Sequence, residues 1–208
     1  MTDPAASPRL PIASDEEFLH GSLSLSEIFP SEPALLPLEV EFGSGKGLFL
    51  IESGRRHPER RFLGMERSLA YYRIARDRIA RSGLPNARVV RADATEMVAL
   101  LPEGGVEGFH AYFLDPWPKK KQRKRRLLGP HFLSQSAGKA SPGALFRIVT
   151  DHADYAAAIA DAIAASIDAG APWRLGSWDD APTPPPTHYE LKYRAAGRSF
   201  HRFLLVKK

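Results

Sequence analysis

The chain has 208 residues, of which 43% are hydrophobic and 25% are charged, which is enough for one domain with a substantial core and short for two. It contains no cysteine, and this excludes disulfides, cysteine nucleophiles and thiolate-bound metals. The net charge of +5 comes from one segment, Lys119–Arg126, because removing its seven positive charges leaves −2 for the rest of the chain.

Metal-dependent and membrane-bound functions are also disfavoured. The seven histidines are scattered without the i, i+3 or i+4 spacing that places two ligands on one helix face, so we expect no metal site. No apolar run approaches the roughly 20 residues that span a bilayer, and no basic start precedes an apolar stretch at the N-terminus. We therefore expect a cytoplasmic protein without membrane contact. The sequence is compatible with either a monomer or a homodimer.

The first 34 residues differ in pattern from the rest of the chain. Residues 1–34 contain five prolines and little periodicity, which predicts an irregular N-terminal arm with a short helix near Ser14–Leu19. From residue 35 to residue 208, short apolar runs alternate with helical patterns, which predicts a single domain.

The alternating patterns of this domain predict an α/β fold. Strands are predicted at Leu36–Phe42, Arg61–Glu66, Ala87–Ala92, Phe109–Leu114 and Ala144–Thr150. Helices are predicted at Gly47–Arg56, Ser68–Ser82, Ala94–Leu101, Pro130–Gly138 and Ala153–Ala169. Two further strands, Trp173–Trp178 and Phe200–Val206, flank a proline-rich loop. Because strands joined by helices form right-handed crossovers, we expect one sheet of about seven strands, mostly parallel, with helices on both faces.

The segment Glu41–Gly47 joins the first predicted strand to the first predicted helix and carries a glycine at every second position from residue 43. Glycine permits positive φ and lets a ligand approach the backbone, while the helix start supplies free N–H groups. A phosphate-binding P-loop is excluded because Gly47, rather than Ser or Thr, follows Lys46. Leu48 occupies the third glycine position of the dinucleotide fingerprint. A plain glycine-rich turn is the alternative interpretation.

The pattern E-x-G-x-G-x-G resembles the first motif of class I S-adenosylmethionine-dependent methyltransferases, whose donor carries an ammonium and a sulfonium and no phosphate. Two more acids end the next two predicted strands: Glu66, which could accept both ribose hydroxyl protons, and Asp93, which could face the adenine amine. Their alternative roles are local, Glu66 as an exposed strand end and Asp93 as the N-cap of the following helix. The resemblance implies a donor site that comprises Glu41, Gly43, Gly45, Glu66, Asp93, Ala94 and Asp115.

The segment Leu114–Lys121 follows the fourth predicted strand and reads Leu-Asp-Pro-Trp-Pro-Lys-Lys-Lys. Together with Lys124–Leu127 it resembles the bacterial tRNA (guanine-N7)-methyltransferase family, in which an acid-Pro-Trp sequence leads into a basic stretch that ends K-R-R-L. Thr150-Asp151 and Thr187–Glu190 match later signatures of that family. The resemblance covers residues 36–208, with the motifs in family order, and implies the Rossmann-like class I methyltransferase fold.

The resemblance implies that the protein transfers a methyl group from S-adenosylmethionine to N7 of a guanosine in the variable loop of tRNA. N7 carries an in-plane lone pair that is unprotonated at neutral pH, so the displacement needs alignment rather than a general base. Asp115 is the predicted catalytic residue. It either accepts a hydrogen bond from the guanine N1–H or exocyclic amine, or places the methionine end of the donor, and the sequence favours neither contact.

The resemblance also implies a substrate side and an RNA-binding segment. The substrate side is predicted to comprise Lys119, Asp151, Thr187, His188, Tyr189 and Glu190. Residues 119–126 are predicted to bind the tRNA backbone, because clustered positive charges attract phosphates without reading sequence. The local alternatives are an N-cap role for Asp151 and a surface ion pair between Glu190 and Lys192. Trp117 either stacks on a base or packs under its own loop.

Two other functions compete with this one. Methyltransferases that modify exocyclic amines of DNA or RNA carry Asp/Asn-Pro-Pro-aromatic after the fourth strand, whereas Trp117 stands at the second proline here. A basic RNA-binding module without catalysis would not need the acids at positions 41, 66 and 93. The departures from the family motif are Leu114 in place of proline and Gln122-Arg123 in place of histidine. They leave Asp115 in place and bear on RNA specificity rather than on the reaction.

Overall fold

Seven strands form one sheet in the computed structural model, which describes residues 24–30 and 36–208; the helix predicted near Ser14–Leu19 lies outside these ranges. The strands are β1 (Leu38–Phe42), β2 (Arg61–Glu66), β3 (Ala87–Arg91), β4 (Val106–Tyr112), β5 (Ala140–Thr150), β6 (Trp173–Gly176) and β7 (His201–Lys207). Their order is β3-β2-β1-β4-β5-β7-β6, and β7 runs antiparallel to both of its neighbours, while the pairs among β1–β5 are parallel. The predicted mostly parallel, seven-stranded α/β sheet is confirmed.

Helices cover both faces of the sheet. They are α1 (Leu25–Ile28), α2 (Leu48–Arg56), α3 (Leu69–Ser82), α4 (Ala94–Leu100), α5 (Pro130–Lys139), α6 (Ala153–Asp168) and α7 (His188–Ala195), with a 3-10 helix at Lys120–Arg125. Successive side chains of a strand point to opposite faces of the sheet and so contribute to two hydrophobic cores. One core lies between the sheet and α4, α5 and α6, and the other lies between the sheet and α2 and α3. In the first core the ring of Phe42 stacks on Phe109 at 5.7 Å and meets the edge of Phe132 at 5.0 Å. Within the described ranges, no helix is both long and apolar enough to cross a membrane.

The largest differences from the predicted elements have local causes. The fourth strand ends at Tyr112 rather than Leu114, because Phe113 has a positive φ of 54° and leaves the extended conformation. The fifth strand begins at Ala140 rather than Ala144, since Ala140 pairs with β4 across an irregularity in the register. Loops are predicted where α7 and the 3-10 helix lie. Neither of these helices buries a side chain, so no apolar periodicity marks them in the sequence.

One turn of helix lies within the predicted N-terminal arm and packs on the sheet. The helix α1 follows Ser24, whose hydroxyl accepts a hydrogen bond from the amide of Glu27 (3.4 Å). Phe29, directly after α1, is buried, and the guanidinium carbons of Arg61 and Arg88 lie 5.6 and 5.8 Å from its ring centroid. Residues 25–29 therefore contact the domain at a point where the sequence predicts no regular element.

The strand order changes direction between β1 and β4. From β1 the chain moves outward to β2 and β3, and it then returns to place β4 on the other side of β1. The connections that follow β1 and β4 diverge at this point, which leaves a crevice at the carboxyl ends of the strands. The glycine turn and the Asp-Pro-Trp segment are these two connections, so the topology brings both motifs to one crevice.

Candidate active site

The turn between β1 and α2 requires its glycines. Gly43, Gly45 and Gly47 have φ values of 75°, 53° and 72°, in the left-handed region that favours glycine. The amide of Gly43 donates a hydrogen bond to the carbonyl of Met65 on β2 (2.8 Å). A Cβ atom at Gly43 would lie 2.5 Å from Cδ2 of Leu114, so the turn also packs tightly against the loop that follows β4.

Two carboxyl groups are buried at this turn. Glu41 on β1 is 3% exposed, and its Oε2 has no hydrogen-bond partner in the described structure. Burial raises the pKa of Glu41 to about 8; the charge of Glu66 acts in the same direction and a hydrogen bond with Ser44 acts against it. Glu66 accepts hydrogen bonds from the amides of Gly45 (2.9 Å) and Ser68 (2.8 Å). Among the described residues, neither carboxyl group forms an ion pair with a cationic side chain.

Asp93 follows the end of β3 and caps α4. Its Oδ1 accepts hydrogen bonds from the amide (2.9 Å) and the hydroxyl (2.6 Å) of Thr95. Its Oδ2 lies 3.4 Å from Nη1 of Arg67. The N-cap interpretation of Asp93 is confirmed, and the contact of Asp93 and Ala94 with adenine stays a prediction.

The loop after β4 is held in an uncommon backbone conformation. Phe113 and Trp117 have φ values of 54° and 42°, which non-glycine residues adopt rarely. Between them Asp115 is exposed, and its Oδ1 accepts a hydrogen bond from the amide of Trp117 (2.9 Å). The guanidinium carbon of Arg125 lies 4.9 Å from the centroid of the Trp117 ring. Trp117 is half-buried, and both its packing against its own loop and its stacking on a base stay predictions.

The basic segment 119–126 divides into two groups. Its four lysines are exposed, and in the described structure none of them pairs with an acid: Lys119, Lys120, Lys121 and Lys124. Arg123 and Arg126 instead form ion pairs with Asp154 on α6, with N···O distances of 2.9 and 2.5 Å. The lysines therefore present their charges to solvent, whereas two of the arginines are bonded within the protein. This division differs from the prediction that the whole segment faces RNA.

Asp151 follows the end of β5 without capping the next helix. The N-cap of α6 is His152, whose Nδ1 accepts a hydrogen bond from the amide of Tyr155 (3.3 Å). Asp151 instead forms an ion pair with Arg198, which lies between α7 and β7. The N-cap alternative for Asp151 is wrong, because the helix begins one residue later than that role requires.

The segment Thr187–Glu190 forms the beginning of α7. Thr187 is buried and caps the helix, since its hydroxyl accepts a hydrogen bond from the amide of Glu190 (3.0 Å). The carboxylate of Glu190 pairs with Arg194 (2.7 Å) rather than with Lys192. His188 is exposed. The alternative of a surface ion pair between Glu190 and Lys192 is therefore wrong, because the carboxylate lies against Arg194 instead.

The helix α7 lies beside the glycine turn. A Cβ atom at Gly45 would lie 3.5 Å from Cε2 of Tyr189. A hydrogen bond with Tyr71 on α3, together with partial burial, raises the pKa of Tyr189 to about 12. One turn further along α7, the ring of Tyr193 packs against that of Phe113 (centroids 5.5 Å apart). Tyr71 is a site residue that sequence reasoning missed, because no motif marks a single exposed tyrosine on a helix.

Most of the predicted site residues thus lie at the carboxyl edge of the sheet. The glycine turn follows Glu41, and within it Gly45 contacts Glu66 and lies beside Tyr189. Asp93, Asp115 and Asp151 follow the ends of β3, β4 and β5, which are parallel and end at the same edge. In residues 24–30 and 36–208, no three histidine or acidic side chains are grouped so that they could hold a metal ion.

Comparison with known sequences identifies methyltransferases. A family model described as "Putative methyltransferase" matches residues 36–203. A Myxococcus xanthus protein named tRNA (guanine-N(7)-)-methyltransferase is 37% identical over 175 residues, which cover 82% of this chain and 84% of that protein. Proteins of the same name from Levilactobacillus brevis and Cutibacterium acnes are 39% and 35% identical over 58% and 79% of this chain. These two matches span only 56% and 61% of the relatives' own lengths.

Solved structures with the same fold are more distant in sequence. The aminoglycoside resistance methyltransferase NpmB1 superposes with a TM-score of 0.63 and 17% identity over 90% of this chain and 95% of its own. The 16S rRNA methyltransferase KamB superposes with a TM-score of 0.58 and 18% identity over 88% of this chain and 91% of its own. At this level of identity the comparison supports the Rossmann-like class I methyltransferase fold alone.

The pKa of Glu41 predicts how stability depends on pH. Between its ordinary value of 4.5 and about 8, the folded protein keeps a proton that the unfolded chain has lost. The free energy of unfolding should therefore fall as pH rises through this window, by an amount on the order of a few kcal/mol. We expect Glu41→Gln to remove this dependence and to be more stable than wild type near pH 8 in urea unfolding. Parallel pH profiles for the two proteins would contradict the assignment.

Proposed function

Since the chain belongs to the tRNA (guanine-N7)-methyltransferase family, we propose that it transfers a methyl group from S-adenosylmethionine to N7 of a guanosine in the variable loop of tRNA. The observation that supports this function best is the pair of buried carboxyl groups, Glu41 and Glu66, at the crevice that the Asp115 loop borders. We assign the activity to residues 35–208. A tRNA substrate agrees with the cytoplasmic location expected from the sequence.

The residues at the glycine turn fit a cationic donor. A buried carboxyl oxygen without a partner is unfavourable, and an ammonium or sulfonium nearby would stabilise its ionised form, as Glu41 requires. Each oxygen of Glu66 accepts a hydrogen bond from a backbone amide, and a carboxylate offers about four acceptor sites, so acceptor capacity remains for ribose hydroxyls. S-adenosylmethionine, when bound, supplies an electrophilic methyl group. The residues proposed to hold it are Glu41, Gly43, Gly45, Glu66, Asp93, Ala94 and Asp115.

The acceptor base is proposed to lie against Asp115. A carboxylate that accepts a hydrogen bond from guanine fixes the orientation of N7, and alignment of this kind can contribute up to ~7–11 kcal/mol. The methylated base is cationic, so the same carboxylate stabilises the charge that develops during transfer. Lys119, Asp151, Thr187, His188, Tyr189 and Glu190 complete the proposed substrate side. Asp151 and Glu190 form ion pairs with Arg198 and Arg194. If the phosphates of the bound tRNA attract these arginines, both carboxylates become free to contact the acceptor base.

The proposed reaction is tested by identifying the product. Unmodified tRNA is incubated with the protein and a labelled donor, and the RNA is then digested to nucleosides. We expect the label in 7-methylguanosine from the variable loop. Label on an exocyclic amine would support the alternative enzyme class, and RNA binding without transfer would support the non-catalytic module; either result contradicts the proposal.

Substitution of Asp115 should separate catalysis from binding. We expect Asp115→Asn to reduce kcat by about 100-fold or more, because the neutral amide no longer stabilises the developing positive charge. The affinity for tRNA, measured by filter binding, should change little, since the lysines remain. Asp168→Asn, at the end of α6, is the matched control and should retain full turnover. Normal turnover by Asp115→Asn would remove this residue from the mechanism.

The exposed lysines should carry the electrostatic part of tRNA binding. Each phosphate contact contributes roughly 0.7 to 0.9 to the slope of log K against log salt. We expect Lys120→Gln/Lys121→Gln to lower that slope by about 1.5 and to weaken binding at low salt. The control Lys207→Gln/Lys208→Gln removes the same charge at the opposite edge of the sheet, because β7 is antiparallel. Equal slopes for the two double variants would show that the 3-10 helix does not contact RNA.

A further inference from the structure

One arginine of the basic segment faces the protein rather than solvent. The side chain of Arg126 is 9% exposed, and its guanidinium carbon lies 4.9 Å from the ring centroid of Tyr155, which is buried. Its neighbour Arg125 is exposed by contrast. An RNA phosphate could contact Arg126 only if its guanidinium moved away from the Tyr155 ring. The charge of Arg126 is therefore used within the fold.

The guanidinium of Arg126 joins two separate parts of the chain. Its Nε donates a hydrogen bond to the carbonyl of Pro116, the residue after Asp115 (2.7 Å). Its Nη2 donates to Oδ2 of Asp154 at the start of α6 (2.5 Å). The second oxygen of Asp154 accepts a hydrogen bond from Arg123 (2.9 Å). A single carboxylate thus holds two arginines of the basic segment, and one of them holds the Asp-Pro-Trp loop.

The start of α6 suits a carboxylate in this role. Asp154 lies in the first turn, where the helix dipole favours negative charge. The hydrogen bond from Arg126 lowers the pKa of Asp154, and Arg123 acts in the same direction, so the carboxylate is ionised at neutral pH. A helix packed into the core is a more rigid support than a loop. The loop, by contrast, contains two left-handed residues, Phe113 and Trp117, and needs such support to keep one conformation.

We propose that Asp154 is a positioning residue for methyl transfer, which through Arg126 fixes the loop that carries Asp115 and joins it to the RNA-binding segment. This inference rests on the proposed function. Asp154 touches neither donor nor base in this arrangement; it acts on the position of Asp115. A misplacement of about 1 Å can reduce the rate of an aligned reaction by about 100-fold, so a distant tether can control turnover.

A simpler role for Asp154 gives opposite expectations. An acid that only neutralises Arg123 and Arg126 competes with RNA phosphates for them. Its removal would then tighten tRNA binding and leave kcat unchanged at saturating tRNA and donor. If Asp154 positions the loop, its removal lowers kcat although tRNA binding is equal or tighter. The value of kcat therefore distinguishes the two roles, whereas the affinity for tRNA does not.

The test compares Asp154→Asn with Asp161→Asn, which makes the same charge change further along α6 at another exposed position. We expect Asp154→Asn to lose about tenfold in kcat with no loss of tRNA affinity, and Asp161→Asn to match wild type. Arg126→Lys, which keeps the charge but not the two-armed guanidinium, should reproduce the loss in kcat. Full kcat in both Asp154→Asn and Arg126→Lys would overturn the proposal.

A second readout does not depend on the reaction. Hydrogen exchange at the amide of Trp117, which donates to Asp115, should be faster in Asp154→Asn and Arg126→Lys than in Asp161→Asn. Exchange in β1 and β4 should be equal in all variants and serves to show that each is folded. Unchanged exchange at Trp117 would overturn the positioning role. If the wild-type protein transferred no methyl group to tRNA, the proposed function would fail, while this measurement would still decide whether Asp154 orders the loop.

Discussion

The candidate site is organised around one electrostatic constraint, the buried carboxyl group of Glu41, one oxygen of which has no hydrogen-bond partner among the described residues. The Oε2 atom of Glu41 is buried and receives no hydrogen bond from residues 24–30 or 36–208, and the acidic Glu66 lies close enough to raise the pKa of Glu41 further. This arrangement lowers the free energy of unfolding, because a buried polar oxygen without a hydrogen bond loses its hydration and gains nothing in return. A cationic ligand would remove that cost, and this requirement favours a sulfonium donor over a phosphate-bearing cofactor.

The sheet topology explains why the other groups lie near this carboxyl. Because β1 and β4 are adjacent but their connections diverge, the glycine turn and the Asp115 loop flank one crevice. The helix α7 is packed against both through Tyr189 and Tyr193. The basic segment leaves the same loop and is anchored to α6. The proposed donor site, the Asp115 loop and the exposed lysines proposed to bind RNA are therefore connected by a short path through the structure.

The sequence predicts best those helices and strands whose buried apolar residues recur with a regular spacing. The strand Arg61–Glu66 was predicted with its observed bounds, because all six residues are buried between turn signals. The helix α3 buries Tyr72, Ala75 and Ile79 at helical spacing and ends at Gly83, which has a left-handed φ of 68°. The helix α7 buries no side chain, and its position depends on contacts with distant residues. Apolar periodicity contains no information about such a helix.

The residues of the candidate site could be predicted from sequence motifs, whereas the hydrogen bonds and ion pairs between them could not. The glycines and acids at strand ends follow from the βαβ pattern, which places strand ends at one edge. The hydrogen bond from Gly45 to Glu66 joins residues 21 positions apart. The hydrogen bonds from Arg123 and Arg126 to Asp154 join residues 31 and 28 positions apart. Such pairs are decided by tertiary packing, and nothing in the local sequence distinguishes Arg126 from its basic neighbours.

The central claim is tested most directly by calorimetry of donor binding in two buffers of different ionisation enthalpy near pH 7. If the donor cation lies against Glu41, binding of S-adenosylmethionine should release close to one proton, because the pKa of Glu41 falls from about 8 on binding. Glu41→Gln should bind more weakly and release none. Binding without proton release by the wild-type protein, or no binding at all, would contradict the account.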